Sequence, residues 1–301
     1  MRLLKSKPSI SSEQVNSRRS NQKGFTLIEI MISLALGLVI SSAIVQIMIS
    51  NSVTDRLNRA VASTQESGRY IITRLRDELL MVGMYDAMNP NLSNLVDIVE
   101  EESFIRNKPI PLPGDFVANI DLGAKQGASG ANDTLVISLQ GTRDCRGYKL
   151  GYANDEEFYV VNEYFVSDNK LKCRGFDGRV LRGQKNAVGN NNNAAFTILD
   201  DVLSFQVTYG LASPATNNGE TLPVRYVDAS LLANAILANQ QIVSVRLAIV
   251  VKGEGQINLD KPSTFKLLNE DTMTAPDNGL YKAFETTITF RNMKNFARSG
   301  A

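Results

Sequence analysis

The chain has 301 residues, 43% of them hydrophobic, with 32 Lys and Arg against 31 Asp and Glu and no histidine. That is enough to bury a core, and the length suggests one or two domains. The near-neutral balance leaves no basic footprint for nucleic acid, and the lack of histidine excludes Ser-His-Asp and Cys-His mechanisms.

Residues 1–22 are polar and basic and are expected to play no part in the fold. Six basic residues (Arg2, Lys5, Lys7, Arg18, Arg19, Lys23) and one acid, Glu13, fall within the first 24, so the remainder carries an acidic excess of about four. After Lys23-Gly24-Phe25-Thr26-Leu27-Ile28-Glu29 comes a run from Ile30 to Thr54 without a charged residue. At about 1.5 Å of rise per residue, a helix of that length crosses a hydrocarbon core of about 30 Å. The basic residues in front orient such a helix with its N-terminus in the cytoplasm. A secretory signal is cut after its apolar stretch, whereas the small residue available here, Gly24, precedes it, so cleavage there keeps the helix. Glu29 near the start of a membrane helix costs about 2.5–3.5 kcal/mol unless paired. A cut after Gly24 supplies a partner, the α-amino group of Phe25 one turn away, in the same chain or a neighbouring one. The plainer alternative is an interfacial carboxylate pointing to water.

A basic leader ending in Gly24, then Phe25, Thr26, Leu27, Ile28, Glu29 and an apolar helix, resembles the type III signal of type IV prepilins and type II secretion pseudopilins. The resemblance implies processing by a prepilin peptidase between Gly24 and Phe25, N-methylation of Phe25, and an assembly salt bridge from Glu29.

The helix is expected to run past the membrane. Leu57, Val61, Gln65, Ile71, Ile72, Leu75, Leu79 and Val82 recur at steps of three and four, the stripe of an amphipathic helix. Gly83 is a stop signal, and Gly37 and Gly68 each weaken the helix by up to about 1 kcal/mol. Glu66 to Tyr70, continuing through Leu79 to Gly83, resembles the second helical segment of PilW-like minor pilins.

From Met84 to about Ala131 the reading is loop, punctuated by Pro90, Pro111, Pro113, Gly114, Gly123, Gly127 and Gly130. Strands are expected at 134–139, 158–166, 170–174, 202–209, 242–251 and 284–290. Leu203, Phe205, Val207 and Tyr209 alternate with polar residues as a half-buried strand does. Asp168-Asn169 signals a hairpin turn and therefore antiparallel pairing. A short helix is expected at 229–239, with surface loops at Asn190–Asn193 and Asn217-Asn218-Gly219. Thr286 to Asn292 resembles the C-terminal strand of PilW-like proteins.

Cys145 and Cys173 are the only cysteines and fall beyond the membrane helix. An oxidising compartment lets them pair, and closing 28 residues would contribute roughly 3–4 kcal/mol; two separate buried thiols are the alternative. Tyr148, Tyr152, Tyr159, Tyr164 and Phe165 are expected to cluster around them as core and interface residues. There is no CxxC, phosphate loop or EF-hand spacing, and Gly253-Glu254-Gly255 is not a dinucleotide fingerprint. The acid pairs Glu156-Glu157 and Asp200-Asp201 read as solvated turn and strand ends. No cofactor, metal or enzymatic activity is expected.

The fold expected is α+β: a long pilin-type helix packed on an antiparallel β-sheet domain. Its segments are a cleaved leader (1–24), a membrane and assembly half (25–54), an amphipathic half (55–83) and a β-rich domain (84–301). The resemblance implies a minor pilin of a type IV pilus, first held in the inner membrane of a Gram-negative cell with its domain periplasmic, then part of an extracellular fibre serving adhesion and twitching motility. Its implied partners are other minor pilins, the major pilin, the prepilin peptidase, the inner-membrane assembly platform and a large tip adhesin. A J-type minor pseudopilin and a membrane-tethered binding module, for glycan or DNA, are the alternatives. No sequence feature speaks directly for nucleic acid.

Overall fold

The computed structural model describes residues 24–189, 195–213, 222–255 and 257–293. The leader up to Lys23 and the two Asn-rich loops expected above lie outside them, except for the flanks of those loops. The chain divides into two units, 1–53 and 54–301. The described part of the first consists of residues 24–26 and the opening of α1 (Leu27–Leu80), and all of it is exposed.

The second unit begins with the rest of α1 and holds two four-stranded antiparallel sheets, so the fold is α+β as expected. The first sheet has the order β1 (Leu135–Gly141), β2 (Phe158–Ser167), β3 (Lys170–Asp177) and β4 (Phe196–Leu199). In the second sheet β5 (Val202–Ala212) pairs with β6 (Pro223–Val227) on one side and β7 (Ile242–Lys252) on the other, and β7 in turn pairs with β10 (Tyr281–Thr289). The small hairpin β8 (Thr264–Phe265) with β9 (Met273–Thr274) covers part of the second sheet. Both residues of the β2–β3 turn, Asp168 and Asn169, have φ of 56°, the left-handed pair that matches the twist of two joined strands.

Period-two alternation sorts each sheet into faces. Leu135, Ile137, Val160, Tyr164, Phe205, Val207, Val245 and Leu247 join Ile71, Leu75 and Leu79 of α1, and Val82 just beyond it, in the central core. Residues one position away, Val136, Tyr159, Val161 and Phe176, face outward under Tyr85, Ile105, Phe116 and Leu122. These covering residues come from the region read as loop, which contains α2 (Ile98–Asn107). Its start is marked locally: the Asp97 side chain accepts the N–H groups of Val99 and Glu100 at 2.9 and 3.2 Å, an N-cap signal readable in the sequence.

The amphipathic stripe of α1 differs from expectation in its upper part. Ala60, Thr64 and Gly68 are buried, while Leu57, Val61 and Gln65 are not. The cause is close approach. A Cβ on Gly253 would lie 2.8 Å from Thr64 Oγ1 and 2.9 Å from the Ala60 carbonyl, and one on Gly68 would lie 2.2 Å from the Phe284 ring. Gly68 is thus a contact residue as well as a weak helix former. The aromatic cluster is also corrected. Tyr152 and Tyr164 lie in the central core and Tyr159 on the opposite face, whereas Tyr148 is exposed under Arg146 and Phe165 lies beneath Arg174. Neighbouring positions in β2 must face opposite ways, so Tyr164 and Phe165 cannot share one cluster.

The end of α1 is held from afar. Asn292 Nδ2 donates to the carbonyls of Leu80 and Val82 at 3.1 and 3.2 Å. Gly83 turns the chain at φ 69° and donates its N–H to Ser138 on β1 at 2.9 Å. Ser138 and Gln140 also donate to Pro109 and Met84 at 3.0 Å, so connecting segments cover the outer edge of β1.

Gly68→Leu should lower the unfolding free energy by about 1–3 kcal/mol through overpacking. Phe284→Ala in the same chain should recover part of that loss. Thermal unfolding of the four members of this cycle checks it; strictly additive losses would show that Gly68 and Phe284 do not share the contact.

Candidate functional site

Two places carry the residues singled out in the sequence. The first is the start of α1. Gly24, Phe25 and Thr26 precede the helix in non-helical chain. Glu29 Oε2 accepts from the Thr26 N–H and from Thr26 Oγ1, both at 2.9 Å, and the Glu29 N–H donates to Thr26 Oγ1 at 3.3 Å. This is a capping box, with Thr26 at the N-cap and Glu29 at the third helical position. In the uncut chain the Phe25 nitrogen is a peptide nitrogen, and the carboxylate's partner is Thr26. Thr26, quoted above only as part of the signal, is thus the helix cap, and Thr-x-x-Glu before an apolar run is the sequence mark of that role. From Leu27 to Val53 every apolar side chain is exposed, for example Leu34 at 63% and Met48 at 66%. The helix is long and apolar enough to cross a membrane.

The second place is the lower end of α1, where Cys145 and Cys173 form a disulfide with Cα atoms 6.4 Å apart. Cys173 lies on β3 opposite Tyr164 of β2. Cys145 follows β1, and its peptide group is held on both sides: its N–H donates to Asn162 Oδ1 at 3.0 Å, and its carbonyl accepts from Arg74 Nη2 at 2.8 Å. Asn162 Nδ2 in turn donates to Glu78 Oε2 at 3.0 Å, and the Tyr164 hydroxyl donates to the same oxygen. Burial pushes the Glu78 carboxyl above its usual range, against the pull of Tyr164, Arg74 and Asn162. Beside it, Arg146 pairs with Asp144 at 2.7 Å, both side chains buried, and donates to the Gly175 carbonyl at 2.8 Å.

Other buried polar groups serve the frame. Arg179, fully buried, makes a two-pronged pair with Glu101 of α2 at 2.7 Å and donates to the Ser93 carbonyl at 2.7 Å, while the Tyr85 hydroxyl donates to Glu101 at 2.7 Å. Asp133 accepts the N–H groups of Gly127 and of Val207 on β5, both at 2.8 Å, joining the first sheet's approach loop to the second sheet. Of the acid pairs, Glu156 and Glu157 are half-buried, and Asp200 and Asp201 are exposed as expected. Glu156 accepts the Ala153 N–H at 2.9 Å, Glu157 accepts from Gln140, and Asp200 pairs with Lys170 at 2.6 Å.

A chain with a capped, exposed apolar helix leading into an α+β domain has the architecture of a pilin, and residues 19–45 match the prokaryotic N-terminal methylation motif. Residues 158–292, from the first residue of β2 to the asparagine that holds the end of α1, match the family described as Type IV Pilus-assembly protein W, PilW. Over those two stretches, the second a little under half of its length, the chain is similar to PilW-like type IV pilins. No curated protein matches the chain. Among solved structures, a type IV-like pilin from Thermus thermophilus is similar over 57% of this chain and 82% of its own, at 14% identity and a TM-score of 0.32. A superposition that loose bears on neither fold nor function.

Burial pushes Asp133 up to about 6 despite its two backbone donors, and Glu78 shifts in the same direction. A raised carboxyl binds its proton more tightly in the folded chain than in the unfolded one, so its contribution to stability grows as pH falls from about 7 towards about 4. Thermal unfolding between about pH 7.5 and about pH 5 should show this gain. Asp133→Asn should flatten the dependence; an unchanged slope in that variant would assign the gain elsewhere.

Proposed function

We propose that this protein is a minor pilin that helps to initiate type IV pilus assembly and is incorporated at or near the fibre tip through its N-terminal helix. In this reading residues 1–24 are a leader removed by the prepilin peptidase between Gly24 and Phe25, and Phe25 is then methylated. Residues 25–54 sit in the inner membrane with the N-terminus cytoplasmic, and residues 84–301 form the periplasmic domain. Other minor pilins, the major pilin and the assembly platform are its partners.

The observation that carries the proposal is a helix whose apolar residues from Leu27 to Val53 are all exposed, with one carboxylate, Glu29, in its first turn. Apolar surface of that extent needs lipid or other helices around it. Packing of neighbouring pilin helices supplies the second environment, and a charged α-amine on Phe25 lowers the cost of burying Glu29 there.

Mass spectrometry of the protein from its native membrane should find Phe25 as the first residue, carrying a methyl group. Gly24→Val should leave the full-length precursor. A first residue beyond position 50, or an uncut wild-type chain, would refute the assigned processing.

Glu29→Gln separates charge from shape, because Gln also serves at the third position of a capping box. The variant should be cut, should insert in the membrane and should keep its disulfide. Its co-purification with other minor pilins, and the number of pili per cell, should fall. Wild-type recovery of partners together with normal piliation would remove the assembly role from this carboxylate.

A further inference from the structure

The disulfide has a position that loop closure alone does not explain. Arg74 and Glu78 lie one turn apart on α1, and both reach the Cys145 peptide group. Arg74 does so directly at 2.8 Å, and Glu78 does so through Asn162, whose amide spans 3.0 Å to each side. Tyr164, the second donor to Glu78, is the cross-strand neighbour of Cys173. The sulfur bridge thus joins the backbone that α1 grips to the strand pair that α1 grips.

We propose that the Cys145–Cys173 disulfide is a redox latch on the stem helix: joined, it holds the Cys145 peptide where Arg74 and the Asn162–Glu78 bridge can clamp the last turns of α1; opened, it releases that clamp while both sheets stay folded. The sheets do not need the bridge, because β1, β2 and β3 pair along their full registers and share the core. The segment carrying Cys145 has a second tie to β3, from Arg146 to the Gly175 carbonyl. That tie keeps the segment near the sheet and does not reach α1, so opening the latch loosens the helix without detaching the segment.

Opening is a two-electron exchange with a dithiol. A thiolate of the reductant attacks a sulfur of the bridge and forms a mixed disulfide, and the other cysteine leaves as a thiolate. The reductant's second thiol then closes on itself, freeing the second cysteine and leaving as a cyclic disulfide. Cys145 is 6% exposed and Cys173 is fully buried, so the exchange requires local opening of this part of the fold. Coupling is reciprocal: if the bridge holds the helix, the helix protects the bridge. The link from helix docking to pilus assembly rests on the pilin reading above, whereas the latch itself does not.

Hydrogen exchange on the full chain in detergent tests the latch. The probe is dithiothreitol followed by alkylation, compared with the oxidised protein. Exchange of the amides at 71–80 should accelerate at least about fivefold, while those of β5 and β7 stay within about twofold. Arg74→Met, with the disulfide intact, should reproduce part of the acceleration at 71–80. It should also let the bridge be reduced at a dithiothreitol concentration lower by about threefold or more. The proposal is overturned if exchange at 71–80 does not respond to reduction, or if β5 and β7 accelerate equally. It is likewise overturned if Arg74→Met leaves the reduction midpoint where it was. All three readouts are independent of whether the chain is processed at Gly24.

Discussion

The second half of α1 has to lie on the joint surface of two sheets, and most of the architecture follows from how closely it does so. Its buried side is built in two registers. Ile71, Leu75 and Leu79, with Val82 just after the helix, fill the space between the sheets, and each fully buried side chain of this kind contributes about 1.5–3 kcal/mol. Ala60, Thr64 and Gly68 instead allow near contact with Gly253 and Phe284. A helix seated so closely must also end at a fixed point, and the end is supplied from the far terminus by Asn292. The last strand therefore does two things at once: Phe284 meets the middle of the helix, and the turn after β10 pairs the carbonyl of the helix's last residue, Leu80, and that of Val82 just beyond it.

Apolar packing is tolerant of small shifts, and the buried polar groups restrict the choice. Arg179 with Glu101 fixes where the 84–122 segment lies over the first sheet. Asp133 fixes the first sheet's approach loop on β5, and Glu78 fixes the rotation of α1. Each has a desolvation cost that only well-formed hydrogen bonds offset, so a shift of any of these elements leaves a buried charge without its partners. The Arg179–Glu101 pair also explains why a segment rich in Pro and Gly folds as a cover: α2 has modest apolar content, and one of its glutamates anchors it.

Local signals made much of this legible. The six strands expected from alternation and β-branched content each coincide with an observed strand, the turn residues at 168–169 occupy the left-handed conformation they favour, and the uncharged run lies within α1. Elements defined by long-range partners were not legible. β4 and β6 are short edge strands whose pairing depends on β3 and β5. The register of the upper α1 stripe could not be inferred from apolar spacing, because what is buried there is small rather than hydrophobic. The α2 cap is present in the sequence as Asp97 followed by Glu100, but Pro90, Pro111 and Pro113 on either side carry the stronger loop signal. At the site itself, Glu29 was legible as a carboxylate in need of a partner, whereas its partner in the uncut chain, Thr26, was not recognised. Cys145 and Cys173 were legible as a pair, but their place at the foot of α1 depends on Asn162 and Arg74, which nothing local marks.

The cap on Glu29 and its proposed role in assembly are compatible because they would use the residue differently. Within the described residues both of its bonds fall on Oε2, which faces Thr26. The cap satisfies N–H groups that the first turn of any helix leaves open, and it does so whatever the neighbours are. A positive charge at Phe25, released by the proposed cut, would lie one residue before the N-cap and within reach of the same carboxylate. A capped carboxylate is held at the helix end instead of sampling rotamers, so less freedom is lost when a charged group meets it. The cap and the ion pair would then act in sequence, the first holding Glu29 in place in the uncut chain and the second taking up its charge when helices pack.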